Sequence, residues 1–450
     1  AVKRMKRDVY VLSADSLEGR EAGMNGELMA ALYIADRFEM VGLEPYFNGC
    51  PFQDFEFKSG YTWPVETNSL VLTSRNKNKG QPIIFEPETE YLPLPWGSDG
   101  EFSAMIYQAG YGWYNNSKLF DDHQQGLTDS KIWIVKVGWP EGMIANPDIS
   151  ENRRMGAKVR IADSLGAAAV IFVSEKDMDY VPGNLVSFTT GMYDIPVVFI
   201  KKENPLLSLE EGNIQMNVNR ETKNLIAKNV SGWIDNGAEQ SIVIGGHYDH
   251  LGYGGGLSRY DGPPAIHNGA DDNASGIAGI IELARWVKLK GLKNKNYIYV
   301  AFSAEEKGLI GSKRFVESDD IDSNSVFCMI NFDMIGRIDE NGDQLSLIAS
   351  GSSPDWEKIT SQITEDVNVR LSKGGTSGSD HAPFLSASIP ALFLFTGIHD
   401  DYHKPTDDPE KLNYVAMRDV VEYAARMVMI TWYAASAMSS AGLLPASSPK

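Results

Sequence analysis

The second half of the chain is built from short apolar runs that each end on a metal-ligand type of side chain. Ser241–Gly246 (SIVIGG) runs into His247-Tyr248-Asp249-His250. Tyr297–Ser303 (YIYVAFS) runs into Ala304-Glu305-Glu306, and Val326–Phe332 (VFCMINF) into Asp333. Pro390–Phe395 (PALFLF) precedes a loop holding His399 and His403. Runs this short and rich in β-branched and aromatic residues predict strands. Between them, helical periodicity predicts helices over 274–289, 311–317, 355–367 and 414–438. The alternation predicts an α/β fold, with a mixed, largely parallel central sheet flanked by helices. In such sheets ligands bind outside the carboxyl ends of the strands, where these His, Asp and Glu residues fall.

The rest of the chain reads differently. A helix is predicted over 27–40, stopped by Gly42, and a strand over 52–57. From 61 to 225 turn residues and aromatics are frequent. Strands are predicted there at 132–137, 168–173 and 196–200, with a helix at 153–165. This region is expected to form a smaller inserted α/β domain. The main domain is then discontinuous, 1–60 with 226–438, followed by a flexible tail at 439–450.

Composition narrows the function. A formal net charge of −19 and a pI near 4.8 argue against nucleic acid as a partner. No apolar run is long enough to predict a membrane span. The two cysteines, Cys50 and Cys328, form no disulfide framework and no paired metal motif. The chain begins at Ala1, which fits a mature form after removal of a signal peptide.

Each candidate motif has a chemical and a structural reading. His247 and Asp249 are two apart, so an extended backbone puts them on one side. The carboxylate can then orient the imidazole, or the pair is an ordinary strand end. Asp271 and Asp272 lie in Gly269–Gly276 (GADDNASG). One of them can bridge two cations, or both simply favour a helix N-terminus. Glu305 and Glu306 diverge from adjacent positions, so one can hold a metal while the other acts as general base on a water. Asp333 ends a strand too apolar to bury a lone charge, so it needs a metal or a salt bridge. His399 or His403 supplies a last ligand. Nitrogen and oxygen donors without thiolates fit a catalytic zinc site. The Ser377–His381 loop lacks the basic residue of a phosphate loop.

Five segments in order, GGHYDH, GADDNASG, FSAEEKGLIGS, NFDMIG and DDYHKPTDD, resemble the metal-site motifs of the co-catalytic di-zinc aminopeptidases, the M28-type peptidases. The N-terminal LSADSLEGREAG stretch and its helix also resemble that family. The resemblance implies two Zn2+ ions. His247 and Asp333 would hold one, Glu306 and His403 the other, and Asp272 would bridge them. It implies Glu305 as general base, Asp249 as the residue orienting His247, and a cis peptide after Asp272. His250 and His399 would not be ligands, and Asp380-His381 would lie near the site without binding metal. KIWIVKVG, MGAKVRIADSLGAAAVIFV and IPVVFI resemble a protease-associated domain.

These implications predict a metal-dependent exopeptidase acting on peptides. An aminopeptidase using zinc-activated water is the leading expectation. A carboxypeptidase of the same family would need cations for a free carboxylate, and only Arg337 and Lys404 lie near the motifs. A glutaminyl cyclase generally lacks the inserted domain. A non-catalytic binding protein on this fold would lack ligands that are all present here. Tyr402, with Tyr253 and Phe395, is a candidate for the side-chain pocket. Export to the periplasm, the cell surface or the medium follows by family analogy.

Overall fold

The computed structural model describes residues 1–440 except 75–80, 113–128, 139–150, 175–192, 202–204, 210, 261, 339–343 and 364–366. The chain divides into two compact units: Ala1–Phe57 with Leu225–Gly254 and Ala265–Lys450, and Lys58–Asn224 with Gly255–Pro264.

The first unit is organised on an eight-stranded sheet. Its strands are β1 (Phe52–Thr62), β2 (Glu221–Ile234), β3 (Ser241–His247), β4 (Asn296–Phe302), β5 (Val326–Phe332), β6 (Gln344–Ile348), β7 (Asn368–Ser372) and β8 (Ala391–Phe395). Their order across the sheet is β1-β2-β4-β3-β5-β8-β6-β7. The four central strands run parallel, β4 with β3, β3 with β5, and β5 with β8. Antiparallel partners flank them, β2 beside β4 and β6 beside β8.

Every residue of β3 and β4 is buried. The cause is the two-residue period of a strand covered on both faces. Ile242 and Ile244, Tyr297 and Tyr299, Ile330 and Phe332, and Leu392 and Leu394 face one core. Val243, Ile298, Val300, Met329 and Ala391 face the other. The first core is closed by helices α1 (Val2–Leu12), α2 (Asn25–Val41), α3 (Gly276–Lys290) and α7 (Tyr414–Ser440). The second receives Phe315 from α4 (Ile310–Val316) and Phe384 from α6 (His381–Ser386); α5 (Asp355–Thr360) adds Trp356 to the first.

Helix α3 shows how the sequence sets these elements. Ile277, Ile280, Ile281, Leu283, Ala284 and Val287 form one buried face. Gly291, left-handed at φ 61°, takes the last carbonyls on its N–H. Helix α1 is absent from the expectations because Lys3, Arg4, Lys6 and Arg7 dominate its text. Its buried face is Met5, Val9 and Leu12, with Asp8 paired to the buried Arg37 of α2. The helix expected over 355–367 ends at Thr360, and residues 364–366 lie outside those described. Of the expected tail, 441–450 also lie outside. Cys50 is exposed, Cys328 is buried, and both are free. Among the described residues no helix is long and apolar enough to cross a membrane.

The second unit carries its own eight-stranded sheet. Gly100–Gln108, Ile132–Lys136, Ala169–Val173 and Val197–Ile200 run parallel in succession, with antiparallel strands at both sides. Ile132 and Ile134 face one core cluster, Trp133 and Val135 another.

Candidate metal centre

Because β4, β3, β5 and β8 are parallel neighbours, their carboxyl ends open on one edge of the sheet. His247 is the last residue of β3, Asp333 follows β5, and Glu305-Glu306 follow β4 after Ala304, which turns the chain at φ 56°. Gly246 lets β3 approach β5, since a Cβ there would lie 2.2 Å from the Phe332 carbonyl. Asp272 sits in the turn opening α3, and its peptide to Asn273 is cis. His403 comes from the loop after β8, at φ 57°.

These side chains meet around Asp272. Nε2 of His247 lies 3.3 Å from Asp272 Oδ1 and 3.4 Å from Asp333 Oδ1. Nε2 of His403 lies 3.2 Å from Asp272 Oδ2 and 3.4 Å from Glu306 Oε2. One oxygen of Asp272 thus belongs to each half of the centre. His250 joins the second half, its Nδ1 2.9 Å from Glu306 Oε1 and 3.8 Å from Asp272 Oδ2. His247, Asp272 and Asp333 can converge on a metal, as can His250, Asp272 and Glu306.

The donor set fits divalent cations. His247 Nδ1 lies 3.1 Å from the Asp249 carbonyl, so that nitrogen carries the hydrogen and Nε2 presents a lone pair. A lone pair facing two carboxylates requires a cation between them, a proton or a metal. Burial opposes charging of His247, but the fields of Asp333 and Glu305 raise its pKa well above the ordinary value. Burial likewise opposes His403, while Glu306 and Asp272 raise it to about 11. Burial favours the neutral form of Glu306, yet His403 holds it below the usual carboxylate range. Glu305 goes the other way: burial raises it well above that range, with Glu306, Asp380 and Asp333 adding to the rise against the lowering field of His247.

Further residues hold this arrangement. The Asp249 carboxylate accepts from the backbone N–H groups of Glu305 (3.0 Å) and Glu306 (3.3 Å). It lies 3.8 Å from His247 Nδ1, farther than its own carbonyl, so its stronger hold is on the two glutamates. Ser379 donates to Asp333 Oδ2 at 2.7 Å and accepts from Asn331 at the same distance. Asp407 accepts the N–H groups of Asp271 (3.0 Å) and Asp272 (3.1 Å). Asn273 is fully buried; its Nδ2 donates to the carbonyls of His247 (3.2 Å) and Phe332 (2.9 Å). Its Oδ1 accepts from Gly276 (3.0 Å) and Met334 (3.2 Å).

A cavity of about 200 Å³ opens onto the centre. Its lining includes the polar His247, Asp272, Glu305, Glu306, Asp333 and His403 and the apolar or aromatic Met334, Phe393, Phe395, Ile398 and Tyr402. Tyr402 stacks on His403 with ring centroids 3.8 Å apart. Tyr253 is not among these lining residues; it is exposed and reaches Glu18. His399 lies 3.3 Å from Asp271, away from the Asp272 cluster. Asp380 is buried, and His381 stacks on Phe393. Arg337 and Lys404 do not line the cavity, and Arg337 pairs with Asp401 at 2.7 Å. Sequence reasoning did not find Asn273, Ser379, Asp407 or the contact of His250 with Glu306. Asn273, Ser379 and Asp407 stand in the GADDNASG, SGSDH and DDYHKPTDD segments and His250 in the HYDH run, but their partners at the centre lie too far away in the chain to signal a contact.

Known proteins resemble this chain in both sequence and fold. Residues 229–428 match the model of peptidase family M28. Aminopeptidase YwaD of Bacillus subtilis is 28% identical over 282 residues, 57% of this chain and 55% of that protein. Leucine aminopeptidase 2 of Trichophyton rubrum is 28% identical over 257 residues, 52% and 47% of the two chains. The match therefore spans about half the length of these curated relatives. A solved zinc aminopeptidase from Bacillus subtilis superposes with a TM-score of 0.60 at 22% identity, covering 96% of this chain and 95% of its own, which establishes a shared fold.

Proposed function

Since residues 229–428 belong to peptidase family M28, we propose that this chain is a zinc-dependent aminopeptidase that removes the N-terminal residue of peptides. The observation that carries the reading is the division of Asp272 between two histidine–carboxylate groups at the mouth of one cavity. In it, His247, Asp272, Asp333, Glu306 and His403 would hold two Zn2+ ions, with Asp272 shared between the two halves of the centre. Bound zinc would supply Lewis acidity toward the scissile carbonyl and the attacking water.

The chain's own residues do the rest. Glu305 accepts the proton of the attacking water and returns it to the leaving amine. Among the described residues it forms no ion pair with a histidine, unlike Glu306, so its carboxylate is left for that work. Asp249 fixes the Glu305-Glu306 backbone and steadies His247. The acidic wall favours the α-ammonium of a free N-terminus. Met334, Phe393, Phe395, Ile398 and Tyr402 receive an apolar side chain. The engagement of Arg337 with Asp401 leaves no evident seat for a C-terminal carboxylate, which favours the aminopeptidase over the carboxypeptidase. All the ligand positions are filled, against a purely binding role.

In the same reading the parallel sheet is the frame of the catalytic unit, and residues 61–225 form a protease-associated module inserted in it. The catalytic unit comprises 1–60 and 226–438. The protein works after export, by analogy with its family. Hydrolysis of aminoacyl-p-nitroanilides, each paired with its N-acetylated form, tests the reading. Cleavage of free but not blocked substrates is expected. Silence on free substrates with bound zinc would overturn it.

A further inference from the structure

The turn at Gly19-Arg20 lines no part of the cavity, yet it is fastened to the strands that do. Arg20 is only 1% exposed, on a left-handed backbone at φ 50°. Its Nε donates to the Tyr248 carbonyl at 2.7 Å. Its Nη1 donates to Asn268 at 2.7 Å and to Leu12, and its Nη2 to Gly269 at 3.0 Å. Tyr248 lies between His247 and Asp249, and Asn268-Gly269 lead into Asp271-Asp272. One guanidinium thus spans the two backbone segments that carry one half of the centre and its bridging aspartate.

The backbone reciprocates. His250 N–H donates to the Arg20 carbonyl at 3.1 Å, and Gly252 N–H to the Gly19 carbonyl at 3.0 Å. Gly19, at φ 67°, has no room for a side chain: a Cβ would lie 2.5 Å from the Gly252 carbonyl and 2.6 Å from that of His267. Burial lowers the Arg20 pKa to about 10 against the raising fields of Asp272 and Asp249, so it is cationic at neutral pH. A buried cation normally pairs with a carboxylate. This one, among the described hydrogen bonds, takes four backbone carbonyls, with acids close enough to act through their fields alone. That contact set orients backbone rather than neutralising a side chain.

We propose that Arg20 is a positioning residue of the metal centre, whose guanidinium holds the His247–Asp249 and Asn268–Asp272 backbones at the spacing two divalent ions require. The inference rests on the metal-centre reading above. Only a planar fork with several N–H groups meets four carbonyls at once. Methionine supplies no donor. Lysine keeps the charge but concentrates its three donors on one nitrogen.

The test is zinc titration of metal-free protein, with folding followed by circular dichroism, for the wild type, Arg20→Met, Arg20→Lys and Arg37→Met. Arg37 is the control: it is also buried in the N-terminal segment, and it pairs with Asp8 instead of holding a backbone segment of the centre. Arg20→Met is expected to bind zinc 10- to 100-fold more weakly, the range seen when groups supporting metal ligands are removed. Arg20→Lys is expected to recover only part of this. Arg37→Met is expected to lose stability and keep wild-type zinc affinity. Wild-type affinity in either Arg20 variant would overturn the proposal, as would an equal loss in Arg37→Met. Failure of both Arg20 variants to fold would also overturn it, making the residue a determinant of the fold instead. A wild type that binds no zinc would overturn the metal-centre reading itself.

Discussion

Replacing Asn273 by aspartate tests how the centre is held without touching a ligand. The side chain is fully buried and makes four hydrogen bonds. Aspartate has the same shape, so no cavity opens. Its Oδ1 can keep the N–H groups of Gly276 and Met334. The other oxygen replaces a donor and faces the His247 and Phe332 carbonyls, 3.2 and 2.9 Å from the present nitrogen. Two buried hydrogen bonds become acceptor–acceptor contacts, at about 1–3 kcal/mol for each unsatisfied group. An uncompensated buried charge carries a similar total, about 3–5 kcal/mol. The expected loss at pH 7 is therefore about 4 kcal/mol, or roughly 8–16 °C in melting temperature for a unit of this size. The introduced carboxyl has its folded pKa raised, so the deficit exists above its unfolded pKa and shrinks as pH falls toward that value. Thermal melts at pH 7 and pH 5, with zinc titration, measure both effects. A melting temperature within 1–2 °C of wild type at pH 7 would refute the reasoning.

Other perturbations follow from the same contacts. Chelation should abolish hydrolysis and lower stability, by about 4 kcal/mol relative to protein with free zinc a thousandfold above its Kd; unchanged melting in EDTA would contradict this. His267 is buried, and burial lowers its pKa from 6.5 to about 4. Its folded pKa lies below the unfolded one, so stability present above pH 6.5 is lost as pH falls toward 4. His267→Gln should lose about 2 kcal/mol less than wild type between pH 7 and pH 5, read from urea unfolding. Phe395→Ala should raise KM for an apolar aminoacyl substrate about tenfold, as expected for losing most of one buried aromatic contact, and change that for a lysyl substrate far less.

The centre was legible because its ligand types stand at the ends of short apolar strands. Once those strands are parallel neighbours, their last residues must meet. His247, Asp333 and the Glu305-Glu306 pair follow from that rule; the choice of Glu306 over Glu305, and the places of Asp272 and His403, rest on the motif resemblance as well. The roles of Arg20 and Asn273 were illegible, although both stand in motif segments, because most of their partners are backbone atoms remote in sequence, which leave no residue-type signal. Strand β2 escaped notice because its first half is exposed and polar and only its second half is buried. Helix α1 was hidden by its charges, since only one narrow face packs. Strand β6 and the edge strand β7 alternate too briefly to stand out from loop sequence.

The most direct test of the account is Glu305→Gln, assayed on free aminoacyl-p-nitroanilides with zinc content measured on the same sample. The account predicts two bound zinc ions and a kcat reduced by about 10²–10⁴, the range for loss of a general acid–base group. A variant that keeps both ions and wild-type kcat would contradict the role of Glu305 and the mechanism built on it.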